Sequence, residues 1–197
     1  MANPKKSKAE IPTIDVALVT IEDSDGNEFG FDTSNSIATE PQLETQDAVK
    51  LMIKGKLKAQ KKEKSTLTGI QITLTDNVFN PELVKMLQGG SVTYGSDGAF
   101  QTYTPPVQGS DDTGKEFTLN AYSAQYNAAG QIVAYEKTSY PNCTGVPVSF
   151  NSTDDEFRAP EYTINSAPAD GQAPYKIEMV KTLPILADSP SSSSVSA

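Results

Sequence analysis

The chain has 197 residues, with 16 Lys+Arg against 25 Asp+Glu, 8 Tyr, 7 Phe, a single Cys and neither Trp nor His. At this length about 70% of the unfolded surface can be buried, enough for one self-sufficient core and cramped for two. Without His the usual proton carrier near neutrality and the commonest zinc, copper or non-haem iron ligand are missing, and Cys143 alone makes neither an internal disulfide nor a thiolate-rich metal site, so most hydrolase and metalloenzyme chemistries are excluded.

Residues 1–12 (MANPKKSKAEIP) read as a flexible basic arm. No apolar run follows that could act as a signal segment, and no stretch approaches the roughly 20 apolar residues of a membrane-crossing helix. A reducing, soluble setting is therefore expected. The fold is assigned to residues 13–186. Thr13 to Glu22 (TIDVALVTIE) is rich in β-branched residues and is followed by the turn cluster Asp23 to Asn27. Glu28 to Asp32 then returns as a second strand, giving a hairpin.

From Asp47 to Lys58 (DAVKLMIKGKLK) the pattern has a period of two. Val49, Leu51, Ile53 and Leu57 point one way, and Lys50, Lys54, Lys56 and Lys58 the other, which predicts a half-buried strand. Gln60 to Lys64 reads as a polar turn, and Ser65 to Thr75 (STLTGIQITLT) alternates again with Ile70, Ile72 and Leu74 on one face. This pairing sets Val49 opposite Leu74, Leu51 opposite Ile72 and Ile53 opposite Ile70. Nearer the tip, Leu57 with Leu67 and Gly55 with Gly69 fit only after a shift of one, so a bulge is expected near the glycines. Arms of about ten residues reach over 30 Å, so the outer half is expected to leave its own domain.

Charge singles out the same segment. Residues 50–64 hold seven Lys and one Glu, a net of +6, so with the chain at −9 the remainder carries −15. One molecule thus bears both halves of a complementary pair. The lysines suit equally a solvated face or an edge guarded against aggregation.

One helix is expected. Asn80 is an N-cap, Pro81 takes the first helical position, Glu82 places an acid in the first turn, and Leu83, Val84, Met86 and Leu87 form an apolar face before Gly89 and Gly90 stop the helix. After a loop punctuated by Thr104-Pro105-Pro106 and Gly109 to Asp112, a second long hairpin is expected from Lys115 to Tyr126 and Gln131 to Tyr140. Short strands follow at Val146 to Phe150, Glu161 to Asn165 and Tyr175 to Val180. Residues 187–197 are a Ser-rich flexible tail. The fold class is mainly β, a β-sandwich or half-barrel with one flanking helix and a long protruding hairpin.

Catalytic signatures are absent: no P-loop, dinucleotide fingerprint, G-x-S-x-G or zinc spacing occurs. Asp23/Asp25, Asp111/Asp112 and Asp154/Asp155/Glu156 have the composition of weak calcium loops, but turn chemistry explains them as well. No enzyme activity, cofactor or metal is expected. Tyr122, Tyr126, Tyr135 and Tyr140 suit either base stacking or packing within the protein.

The basic hairpin, ITLTDNVFNPELVKMLQGG (Ile72 to Gly90), FTLNAYSAQYNAAGQIVAYEKTSYPNC (Phe117 to Cys143) with GVPVSF after it, and PYKIEMVKTLP (Pro174 to Pro184) together resemble the major tail tube proteins of tailed bacteriophages or phage-tail-like particles, particularly those of Gram-positive hosts. The resemblance covers most of Asp47 to Pro184. It implies hexameric rings stacked into a hollow tube in the virion tail, made in the host cytoplasm, with the inner sheets joined into one barrel around passing DNA that is not bound specifically. It also implies other tail proteins at the tube ends (tape measure, terminator, baseplate or tip) and no membrane partner. The residues expected in the inter-subunit hairpin are Lys54, Gly55, Lys56, Leu57, Lys58, Lys61, Lys62, Lys64, Leu67 and Gly69. Their candidate acidic partners on a neighbouring copy are Asp111, Asp112, Asp154, Asp155 and Glu156. The alternative reading is a β-sandwich decoration or adhesion module; nucleic-acid binding through the lysines is a further one.

Overall fold

A computed structural model of the chain describes residues 11–24, 26–110, 114–148, 154 and 159–186. It is mainly β, with antiparallel strands and one α-helix. The first hairpin forms as its β-branched pattern requires: β1 (Thr13–Asp23) pairs with β2 (Glu28–Phe31). Asp23 Oδ1 accepts from the Asn27 backbone N–H at 2.9 Å, closing the turn between them.

Next come β3 (Ser34–Gln46), β4 (Val49–Ile53), β5 (Lys56–Lys61) and β6 (Lys64–Asp76). They form one hairpin in two stretches. β3 runs against β6 from Ser34 opposite Asp76 to Gln46 opposite Lys64, and β4 against β5 from Val49 opposite Lys61 to Ile53 opposite Lys56. This corrects the expected register: Val49, Leu51 and Ile53 do not face Leu74, Ile72 and Ile70. Those three apolar residues of β6 face Ile37, Thr39 and Pro41 of β3.

The apex lies at Lys54-Gly55, not at Gln60 to Lys64. Both apex residues have positive φ, 49° and 75°, as a two-residue I′ loop demands, and Gly in the second position accommodates it without a Cβ. The turn therefore falls inside the stretch whose alternation reads as one strand. Leu57 and Leu67 consequently do not pair with each other: Leu57 faces Met52 and Leu67 faces Leu43. A register shift does occur between Gln42/Gly69 and Leu43/Leu67, next to Gly69, and a second between Leu51 and Met52.

The helix α1 (Pro81–Gln88) follows its sequence signals closely. Asn80 Oδ1 accepts from the N–H groups of Glu82 and Leu83 at 3.1 and 3.2 Å, and the Gly89 N–H reaches Lys85 O at 2.8 Å. Leu83, Val84, Met86 and Leu87 are all buried, each contributing about 1.5–3 kcal/mol of transfer free energy.

A small hairpin of β7 (Ser91–Tyr94) and β8 (Phe100–Thr104) lies beside the helix. The remaining strands are β9 (Phe117–Tyr126), β10 (Ile132–Gly145), β11 (Glu161–Ser166) and β12 (Lys176–Val180). Val146 to Phe150 is not the expected strand: 146–148 has no regular structure, and Ser149 and Phe150 lie outside the described residues.

The principal sheet runs β2-β1-β9-β10-β11-β6-β3, with β12 also pairing to β10. β3 comes back against β1 without a hydrogen-bonded register, so the sheet is rolled most of the way towards a barrel. Val19, Ile21, Phe31, Ile72, Leu74, Phe117, Leu119, Tyr162 and Ile164 fill its interior together with the apolar face of α1. Close approach of helix to sheet depends on Gly145, where a Cβ would meet Leu87 at 2.5 Å. On the opposite face Thr20 and Asn120 are buried, joined by an Asn120 Nδ2 to Thr20 Oγ1 bond of 3.3 Å, and Ser139 Oγ donates to Asn120 Oδ1 at 2.7 Å.

Candidate assembly surface

The hairpin divides at Gly69. Inside that point β6 is hydrogen-bonded to both β3 and β11, and Ile70, Ile72 and Leu74 enter the core. Among the described residues, β3 and β6 are hydrogen-bonded beyond it only to each other, and β4 and β5 make no substantial contact with any other element. Leu43 to Ile53 spans eleven residues, so roughly 35 Å of ribbon projects from the body.

Every residue of β4 and β5 is exposed. Val49, Leu51, Met52, Ile53 and Leu57 are 46–65% exposed, and Leu43 on the shaft is 62% exposed. These figures decide the status of the ribbon: large apolar groups lie in water on a two-stranded element that is marginal by itself. The alternation of β4 places Val49, Leu51 and Ile53 on one face, whereas Met52 and Leu57 share the other, so the tip is apolar on both sides. Lys50, Lys54, Lys56, Lys58, Lys61, Lys62 and Lys64 surround it, and among the described residues none of them makes an ion pair.

Of the expected acidic partners, Asp111, Asp112, Asp155 and Glu156 lie outside the described residues, and Asp154 is exposed in a turn. The sequence reading missed a second exposed surface. Asn77 to Asn80 leave β6 for the helix, and there Phe79 packs edge-on against Phe100 at 6.1 Å, with Tyr94 against Phe100 at 6.5 Å. Tyr94 and Phe100 remain 46% and 44% exposed, and Val78 beside them is also exposed. The Tyr94 hydroxyl donates to Glu82 Oε1 at 2.6 Å. Desolvation, reinforced by that carboxylate, pushes the phenol pKa up to about 12. Asp97 caps the loop by accepting from the Ala99 N–H at 3.1 Å. The aromatic spacing Val78-Phe79, Tyr94, Phe100 is a signal in the sequence, but no alternation marks it.

A third patch lies on β12, where Tyr175, Ile177 and Met179 are exposed and the outer edge of the strand has no partner among the described residues. Lys137 and Lys176 both reach Glu178 there, and these cations hold its carboxyl below the usual range.

Of the four tyrosines singled out by sequence, Tyr122 and Tyr140 are buried and Tyr126 and Tyr135 are half-buried. Tyr122 is buried beneath Lys137, whose Nζ lies 5.9 Å from the ring centre, and Tyr140 is buried against Tyr175. Cys143 is buried at the end of β10, with Sγ 3.3 Å from Tyr140 O, and burial pushes its thiol up to about 11. No group of three or more Asp, Glu or Cys side chains among the described residues is placed to hold a metal ion. No described helix is long and apolar enough to cross a membrane.

No protein-family model matches the sequence, and no curated protein matches it. Among solved structures, the chain is similar to one in the cryo-EM structure of the anti-feeding prophage baseplate, 6-fold symmetrised. The identity is 11% and the TM-score 0.34, over 91% of this chain and 97% of that one.

Proposed function

We propose that this chain is a structural, non-enzymatic protein that assembles with copies of itself into stacked hexameric rings, forming the hollow tube of a phage tail or tail-like particle. The observation that carries the reading is the projecting ribbon: an apolar, lysine-rich hairpin tip that makes no substantial contact with any other element among the described residues. Water does not favour that arrangement, and a second protein surface removes it. The outer edges of β3 and β12, hydrogen-bonded to no further strand among the described residues, support the same conclusion, since unpaired edges are blunted most completely when neighbouring copies join them. The particular architecture of rings and tube comes from the sequence resemblance. An acidic body around the conduit would let DNA pass without the phosphate contacts that hold it.

In this reading the lysines of the shaft face acidic loops of a neighbouring copy, with Asp111, Asp112 and Asp154 to Glu156 as partners. Reversing Lys61, Lys62 and Lys64 to Glu takes residues 50–64 from +6 to zero. The expected result is a folded monomer, with unchanged circular dichroism, that sediments as a single small species. Tubes of ordinary length from this triple variant would refute the assignment.

A further inference from the structure

The aromatic ledge is a second exposed apolar surface, and its position follows from the fold. The ledge lies at the root of the same hairpin: Val78 and Phe79 come shortly after β6 ends at Asp76, Phe100 packs onto Phe79, and Tyr94 packs onto Phe100. From Ser34 at that root to Ile53 at the tip there are 20 residues of ribbon, roughly 60 Å if straight. An apolar, cationic tip and an aromatic, acid-rimmed ledge therefore occupy opposite ends of one long element.

We infer that the tip of one copy seats on the ledge of the next copy along the assembly. Met52 and Leu57, which share one face of the tip, cover Phe100 and Tyr94, and Lys54 at the apex meets Asp97 and Glu82. The inference rests on the self-assembly reading and names the partner surface that reading leaves open. Chemistry favours the ledge over the other exposed apolar patch. The ledge presents aromatic faces, which attract lysine ammonium groups, and carries Glu82 and Asp97 at its rim, with Lys85 beside Glu82 and Lys115 lining the adjoining pocket. The β12 patch is framed by Lys137, Lys176 and Lys181 against Glu136 and Glu178, which disfavours a lysine ribbon. Tip and ledge are unlike surfaces, so their contact is heterologous and repeats in one direction, the geometry that stacking requires.

The test is a disulfide trap in the full chain. Met52→Cys places a thiol on the tip and Ser96→Cys one on the exposed loop of the ledge, and Cys143 is buried and stays silent. The double variant is concentrated under reducing conditions, its assembly is checked by negative-stain imaging beside the unmodified chain, and it is then oxidised. The expected outcome is a ladder of covalent multimers on a non-reducing gel with a 52–96 linkage by mass spectrometry, and no ladder from Met52→Cys with Ile177→Cys. Assembled particles that yield no 52–96 linkage, a ladder from the Ile177 control, or a linkage that stops at the dimer each overturn the ledge while leaving self-assembly standing. Failure of the unmodified chain to assemble at all overturns both.

Discussion

Two tyrosine and cysteine environments make the residue-scale account measurable. Tyr94 is held neutral by desolvation and by donation to Glu82, with its folded pKa about 12 against an ordinary 10. Its contribution to stability is therefore complete below pH 10 and is lost as pH rises through about 12. A phenolate absorbance titration should show late-titrating tyrosine absorbance from Tyr94 and from Tyr140, whose phenol burial also raises, and Tyr94→Phe should remove part of it; a late component of unchanged amplitude would place it elsewhere. Cys143, pushed to about 11 by burial, should resist thiol reagents near neutral pH in the native protein and react at once on unfolding. Gly145 is a demanding backbone position, because an added Cβ meets both backbone and side chain of Leu87. Gly145→Ala should push α1 off β10 and cost about 1–3 kcal/mol in denaturant unfolding; a cost near zero would show that helix and sheet slide apart freely.

At the scale of elements, the strands and helix that enter the core were legible because burial imposes a period. β1, α1, β9 and β11 fall where alternation or capping signals them, and Asn80→Ala should cost about 1 kcal/mol as an N-cap loss. β3 was not legible: Ser34 to Gln46 is polar, contains Pro41, and is exposed almost throughout, so it carries no alternation. Pro is tolerated there because β3 is an edge strand. Overlooking β3 left β6 without its true partner, and the alternating segment around Lys54-Gly55 was read as that partner when it is the hairpin's own apex. The clustering of lysines was legible from charge, whereas Leu51, expected opposite Ile72 on a half-buried face, lies exposed near the tip. The ledge was not legible, since Phe79, Tyr94 and Phe100 meet only through the β7–β8 fold. Gly55→Val opposes the positive φ of the apex and should leave the unfolding transition of the body unchanged while weakening assembly. A lowered melting temperature would mean that the ribbon is part of the core's cooperative unit.

For the whole molecule, the decisive feature is imbalance. The body closes its interior with a rolled sheet and one helix, while the ribbon leaves apolar side chains and a net charge of +6 in water beside a body of −15. Copies of one chain can satisfy both demands, and screening by salt should weaken the charge component first. Self-assembly is accordingly the central claim, and negative-stain imaging of the purified full-length chain at rising concentration tests it most directly. The account predicts hexameric rings or regular hollow filaments; solitary, monodisperse particles at every concentration would contradict it.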